Sequence, residues 1–213
     1  MNVRGNPAVV YVHGLWMPGL ESALLHRRLA AQRGFRLHVF RYRSVHEPIA
    51  QIAARLGTML ARIEAPQVHL LGHSLGGLVI LRCLERYPMA QPGRVVFLGA
   101  PVAGSCAARR LGLWPLARRA LGHAVAEELL LERARRWDVG RELGIIAGTL
   151  SLGLARLLVT FGEANDGVIA VSETRLTGAA SSITVRTSHA GLLLSRRVAR
   201  EAGSFLEHGR FGL

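Results

Sequence analysis

Short apolar runs recur along this chain, each followed by a stretch with helical spacing. Ala8–Val12 (AVVYV) has no polar side chain, the pattern of a strand buried on both faces rather than on one. Val68–Leu71, Arg94–Leu98 (RVVFL) and Gly144–Ala147 (GIIA) read as further strands, and Phe35–Tyr42 alternates as a strand does. Val168–Val171 and Ile183–Val185 complete the predicted strands. Between them lie helical patterns. Leu20 to Gln32 is stopped by Gly34; Pro48 opens a helix with Ile49, Ile52, Leu56, Met59, Leu60 and Ile63 on one stripe. Leu75–Tyr87 ends before Pro88, and a last helix runs from about Ala190 to Leu206, leaving His208 in a frayed tail. Strand and helix in alternation predict an α/β fold: a mostly parallel, doubly wound sheet flanked by helices.

One domain of residues 1–213 is expected, with a helical cap inserted at about residues 102–142. There the alternation stops and two helical stretches, Leu113–Leu121 and Ala124–Trp137, replace it. Half of the chain is hydrophobic, so a disordered, collagenous or coiled-coil protein is excluded. Cys83, at a helix position, and Cys106, in a loop, cannot form a disulfide scaffold or a four-thiolate zinc site. No secretory signal is recognisable, and a cytoplasmic protein is expected. Leu143 to Gly162 is the most membrane-like stretch, but Arg156 and four glycines make it a buried strand followed by a loop.

All 27 basic residues are Arg, against 14 acids, and the excess is spread along the chain. Nucleic-acid binders cluster their charge and interleave aromatics, which are only 6% here, so no nucleic-acid partner is expected. Peripheral contact with an anionic membrane stays open.

The chemistry sits in Gly72-His73-Ser74-Leu75-Gly76, where the strand Val68–Leu71 turns into a helix. A G-x-S-x-G sequence in that setting is a nucleophile elbow. The tight turn pushes the Ser74 hydroxyl above the sheet edge, and side chains at positions 72 and 76 would collide, hence two glycines. A serine hydroxyl needs a base, and the base needs an acid that fixes its tautomer. Only two Asp exist. Asp138 lies in an Arg-rich cap helix, whereas Asp166 lies in Asn165-Asp166-Gly167-Val168 after the GIIA strand, where this architecture binds ligands. Asp166 is the expected acid, with Glu163 as its nearest substitute. His189 follows the last strand and is the expected base; His123 lies in the cap. Oxyanion donors are expected from the backbone N–H groups of Leu75 and of Leu15, which Gly14 presents after the first strand. His13 is read as orienting that loop and His73 as a packing residue.

The set His13-Gly14, Gly72-His73-Ser74-Leu75-Gly76-Gly77, Asn165-Asp166-Gly167-Val168 and Ser188-His189 resembles the alpha/beta-hydrolase superfamily, within it the bacterial lipase- and esterase-like branch. That resemblance implies a Ser-His-Asp hydrolase of carboxylic esters acting through an acyl-enzyme, with no metal and no organic cofactor. An acyltransferase on the same triad, or a non-catalytic binding protein of this fold, are the alternatives. A small-molecule or lipid ester is the expected substrate, with Trp16, Trp114 and Leu129 in its pocket.

Overall fold

The computed structural model describes residues 5–130, 135–153 and 160–212. Its six strands are β1 (Ala8–Val12), β2 (Arg36–Phe40), β3 (Val68–His73), β4 (Val95–Leu98), β5 (Leu143–Gly148) and β6 (Ser181–Val185). All neighbours are parallel, in the order β2-β1-β3-β4-β5-β6. Helices α1 (Ala23–Arg33), α2 (Ile49–Ala61), α3 (Leu75–Arg86), α4 (Cys106–Gly112), α5 (Pro115–Glu128), α6 (Gly191–Leu194) and α7 (Arg196–His208) complete it.

The continuous apolar character of β1 has a direct cause. Ala8, Val10 and Val12 point into the core under α2 and α3. Val9 and Tyr11 point into the opposite core under α1 and α7. With helices on both faces, neither side of a central strand tolerates a solvated residue. Edge strands are looser: β2 and β6 keep partly exposed positions. The chain passes from β1 to one side of the sheet and returns to the other at β3. The strand order therefore reverses between β1 and β3, and a crevice opens at their carboxyl ends.

Several expectations need correction. Val168–Val171 is no strand: Val168 and Ile169 donate their N–H groups to Asp166 Oδ1, so no ladder partner is left for them. Only an isolated antiparallel bridge, Asn165 to Ala170, forms there. Cys106 is not in a loop but opens α4, which Ser105 caps by accepting the Ala108 N–H at 3.1 Å. The two helical stretches expected at Leu113–Leu121 and Ala124–Trp137 do meet at a break, Gly122 (φ 81°, ψ 179°), inside α5, but the second ends at Glu128 rather than Trp137. Beyond it Arg136 bridges Thr177 and Trp137 is buried against Phe97. The last helix breaks at Ser195, whose hydroxyl caps α7, and His208 is the final residue of α7 rather than frayed tail. The stretch Leu143 to Gly162 begins as β5; its residues 154–159, like 131–134 of the cap, lie outside the described residues. Among the described residues, no helix is long and apolar enough to cross a membrane.

The segment between β4 and β5 is tied down by buried charge. Glu128, at the end of α5, accepts from Arg82 of α3 at 2.8 and 2.9 Å and from Arg135 at 2.9 Å. Arg135 also donates to the Val102 carbonyl at 2.9 Å.

Candidate active site

β3 delivers Ser74 to the crevice in a conformation few side chains adopt, φ 53° and ψ −124°. The flanking glycines make this possible. A Cβ on Gly76 would lie 2.1 Å from the Val12 carbonyl oxygen, and one on Gly72 would lie 2.8 Å from the Gly77 backbone. Substitution of either would push α3 off β1 and β3. Ser74 is followed at once by the first turn of α3, whose free N–H groups and positive dipole end face the hydroxyl's surroundings.

Asp166 is buried and fully engaged. Oδ1 accepts the N–H groups of Val168 (3.0 Å) and Ile169 (2.7 Å), and Oδ2 faces His189 Nδ1 at 2.7 Å. The backbones lock the same pair: the His189 N–H donates to the Asp166 carbonyl at 2.9 Å. Nδ1 of His189 is thereby the donor, which leaves Nε2 with its lone pair. His189 lines the same cavity as Ser74. Asp138 is exposed, far from this role, and Glu163 accepts from Ser172 on the outside of the loop.

Gly14 belongs to the first-strand loop and touches the elbow: a Cβ there would lie 3.0 Å from Ser74 Cβ. Next to it, the Leu15 amide, like that of Leu75, donates to no group among the described residues. His13 holds the loop. Its Nε2 accepts the Tyr42 N–H at 3.2 Å, so Nδ1 carries the proton and donates to the Gly14 carbonyl at 2.9 Å. Tyr42 stacks on the ring at 4.1 Å and donates its hydroxyl to the His13 carbonyl. Burial pushes the His13 pKa down, which favours that neutral form. His73 is wholly buried behind the nucleophile, with Nε2 against the His189 carbonyl at 3.2 Å. Burial, with the neighbouring His189 ring second, takes its pKa down to about 3.

The cavity holds about 500 Å³, and its walls are almost entirely apolar. Leu15, Trp16 and Met17 come from the first loop; Ala107, Ala108, Leu111, Leu121, Val125 and Leu129 come from α4, α5 and the residue after it. Of the residues expected to form a substrate pocket, Trp16 and Leu129 line this cavity, whereas Trp114 stands 70% exposed at the start of α5 and lines no part of it. Among the described residues no group of three His, Cys, Asp or Glu could hold a metal ion.

Three residues were missed. Gly99 (φ 56°) directly follows β4 under the Asp166–His189 pair; a Cβ there would lie 3.1 Å from Asp166 Oδ2 and 3.2 Å from His189 Nδ1. Gly148 ends β5, where a Cβ would lie 2.7 Å from Asp166 Cβ. Both are strand-terminal glycines, a signal visible in the sequence. Glu173 is buried and accepts the N–H groups of Ala170 (2.9 Å) and of Cys106, so it staples the Asp166 loop to α4. Burial raises its pKa.

A serine held at positive φ, a buried acid–histidine pair and an apolar cavity lined by both the serine and the histidine thus meet at the carboxyl end of a parallel sheet. Residues 9–200 match the model of the alpha/beta hydrolase family, and the chain belongs to that family. Among solved structures, the mature Bacillus licheniformis lipase BlEst2 is similar over 98% of this chain and 94% of its own, at 20% identity and a TM-score of 0.76. A metagenomic carboxyl esterase matches 87% of this chain and 65% of its own, at 19% identity and a TM-score of 0.63. A thioesterase of prodiginine biosynthesis from Streptomyces coelicolor matches 97% and 86%, at 13% identity and a TM-score of 0.61. No curated protein matches the chain in sequence.

Proposed function

We propose that this protein is a serine hydrolase of carboxylic esters, with Ser74 as nucleophile, His189 as general base and Asp166 as the acid that orients it. The reading rests on one observation above all: His189, paired with the buried Asp166 at 2.7 Å, lines the same cavity as a serine held at positive φ. In this reading His189 Nε2 takes the Ser74 proton as Oγ attacks the ester carbonyl. The tetrahedral oxyanion is met by the N–H groups of Leu15 and Leu75. Collapse breaks the C–O bond, and the proton on His189 goes to the leaving alkoxide. Water, deprotonated by His189, then attacks the acyl-Ser74 carbonyl; collapse breaks the C–Oγ bond, His189 returns the proton to Ser74 Oγ, and the carboxylic acid leaves.

The substrate's acyl group is apolar and uncharged, since no charged side chain lines the cavity. α4 and α5 act as a cap within a single domain and set the acyl preference. That two structural neighbours are a lipase and a carboxyl esterase agrees with this. The free thiols of Cys83 and Cys106 fit a reducing, cytoplasmic setting.

Hydrolysis of p-nitrophenyl esters of graded chain length tests the proposal. Ser74→Ala should keep the fold and lose turnover by on the order of a million-fold. A folded Ser74→Ala protein with most of its activity would overturn it. An added alcohol acceptor separates hydrolysis from acyl transfer by the product formed.

A further inference from the structure

Leu113, Trp114 and Leu116 are 78%, 70% and 85% exposed and stand together where α4 meets α5. Large apolar side chains side by side on a surface mark an interaction site. The same two helices turn their inner faces into the cavity, and Trp16, itself 64% exposed, lines that cavity and donates its indole N–H to the Ala120 carbonyl of α5 at 2.9 Å. The patch is thus the outer surface of the element that roofs the site.

Charge identifies the partner. From Cys106 to Ala126 the sequence holds four Arg and no acid. Arg110, Arg118 and Arg119 are exposed and form no ion pair among the described residues. Arg118 and Arg119 border a second cavity of about 720 Å³, shared with His46 and His123, where the break at Gly122 lets α5 approach Val45 closely. Apolar side chains beside flexible cations, with a tryptophan at the boundary, suit an anionic lipid surface: the leucines enter the acyl boundary and the guanidinium groups reach the phosphates. A second copy fits poorly, because a two-fold contact through this patch would set Arg against Arg.

We propose that the α4–α5 corner docks on an anionic phospholipid bilayer, with Leu113, Trp114 and Leu116 entering the interface and Arg118 and Arg119 contacting lipid phosphate. The docking itself does not require the enzymatic reading; its consequence, that the cavity mouth is carried to the lipid surface, rests on it.

Flotation of the full-length Ser74→Ala protein with vesicles tests this, since binding is then read without turnover. Vesicles of phosphatidylcholine mixed with phosphatidylglycerol should retain it, phosphatidylcholine alone much less, and added salt should release it. Arg118→Ser with Arg119→Ser should lower partition onto the mixed vesicles by about thirtyfold, at about fivefold per charge. Leu113→Ser with Leu116→Ser should lower it by about tenfold per leucine. With Ser74 intact, both pairs should leave hydrolysis of a short soluble ester unchanged. Equal retention on both vesicle types would overturn the proposal, as would retention that neither pair alters. So would a vesicle-free dimer that the leucine pair dissociates, which would assign the patch to a second copy. Wild-type protein that floats but hydrolyses no ester would fail the enzymatic reading and leave the docking standing.

Discussion

Asp166→Asn replaces one oxygen by an NH2 group, and the surroundings dictate which way the amide faces. The Val168 and Ile169 N–H groups both point at the Oδ1 position. Turning the NH2 toward them would orphan two buried donors at about 1–3 kcal/mol each, about 2–6 kcal/mol in all. The amide oxygen therefore stays there, and NH2 faces His189. That ring must then accept through Nδ1, which moves its proton to Nε2, where it can no longer take one from Ser74. Recovering the working tautomer costs the same 2–6 kcal/mol, which corresponds to a loss of about thirtyfold to about four orders of magnitude in kcat. The backbone contacts of the loop survive, so KM and the melting temperature should move little. The assay is steady-state hydrolysis of a soluble short-chain ester, with thermal unfolding as the control. Asp138→Asn, at an exposed position, should be near wild type. A kcat for Asp166→Asn within a few fold of wild type would refute the reasoning, and a large loss in Asp138→Asn would relocate the acid.

Gly99→Ala places a methyl group against the Asp166–His189 pair and 2.8 Å from Leu192 Cδ1, at a positive φ that costs about 1–2 kcal/mol for any L side chain. It should cut kcat at least tenfold with a modest loss of stability; unchanged kcat would show that the pair tolerates displacement. His73 makes the fold acid-sensitive: its folded-state pKa lies near 3, below that of an unfolded histidine, so the unfolded chain takes up a proton the folded one refuses. Stability should fall as pH drops from about 6.5 toward 3, by up to about 1.4 kcal/mol per pH unit. His69, down to about 4 for the same reason, adds to the slope. Urea midpoints of the wild type and of His73→Asn across that range should show a shallower slope in the variant, and equal slopes would contradict the assignment.

The central strands were legible because their burial is two-sided: AVVYV and VVFL have no face to give to water. The elbow was legible because a steric demand writes itself as glycine at fixed spacing around Ser74. Asp166 stood out because the chain has so few Asp, and the structure sets it 2.7 Å from His189. What escaped depends on partners distant in sequence. Val168–Val171 looks like a strand, yet its amides are claimed by a side chain two residues earlier. The roles of Gly99 and Gly148 come from the pair that folds over them, and that of Glu173 from a helix start some seventy residues earlier. Trp114 reads as a pocket residue because the cap is apolar on one side, but it is the residue that leads into α5 and stands exposed there.

The most direct test of the account is covalent labelling by a fluorophosphonate probe, with the modified residue located by mass spectrometry. In the proposed mechanism, attack on the probe needs the Ser74 nucleophile, the His189 base and the Leu15 and Leu75 amides at once. Labelling of the native protein at Ser74, strongly slowed in His189→Ala and absent after denaturation, is the predicted result. Native protein that resists the probe, or that takes it at another residue, would contradict the assignment of this site.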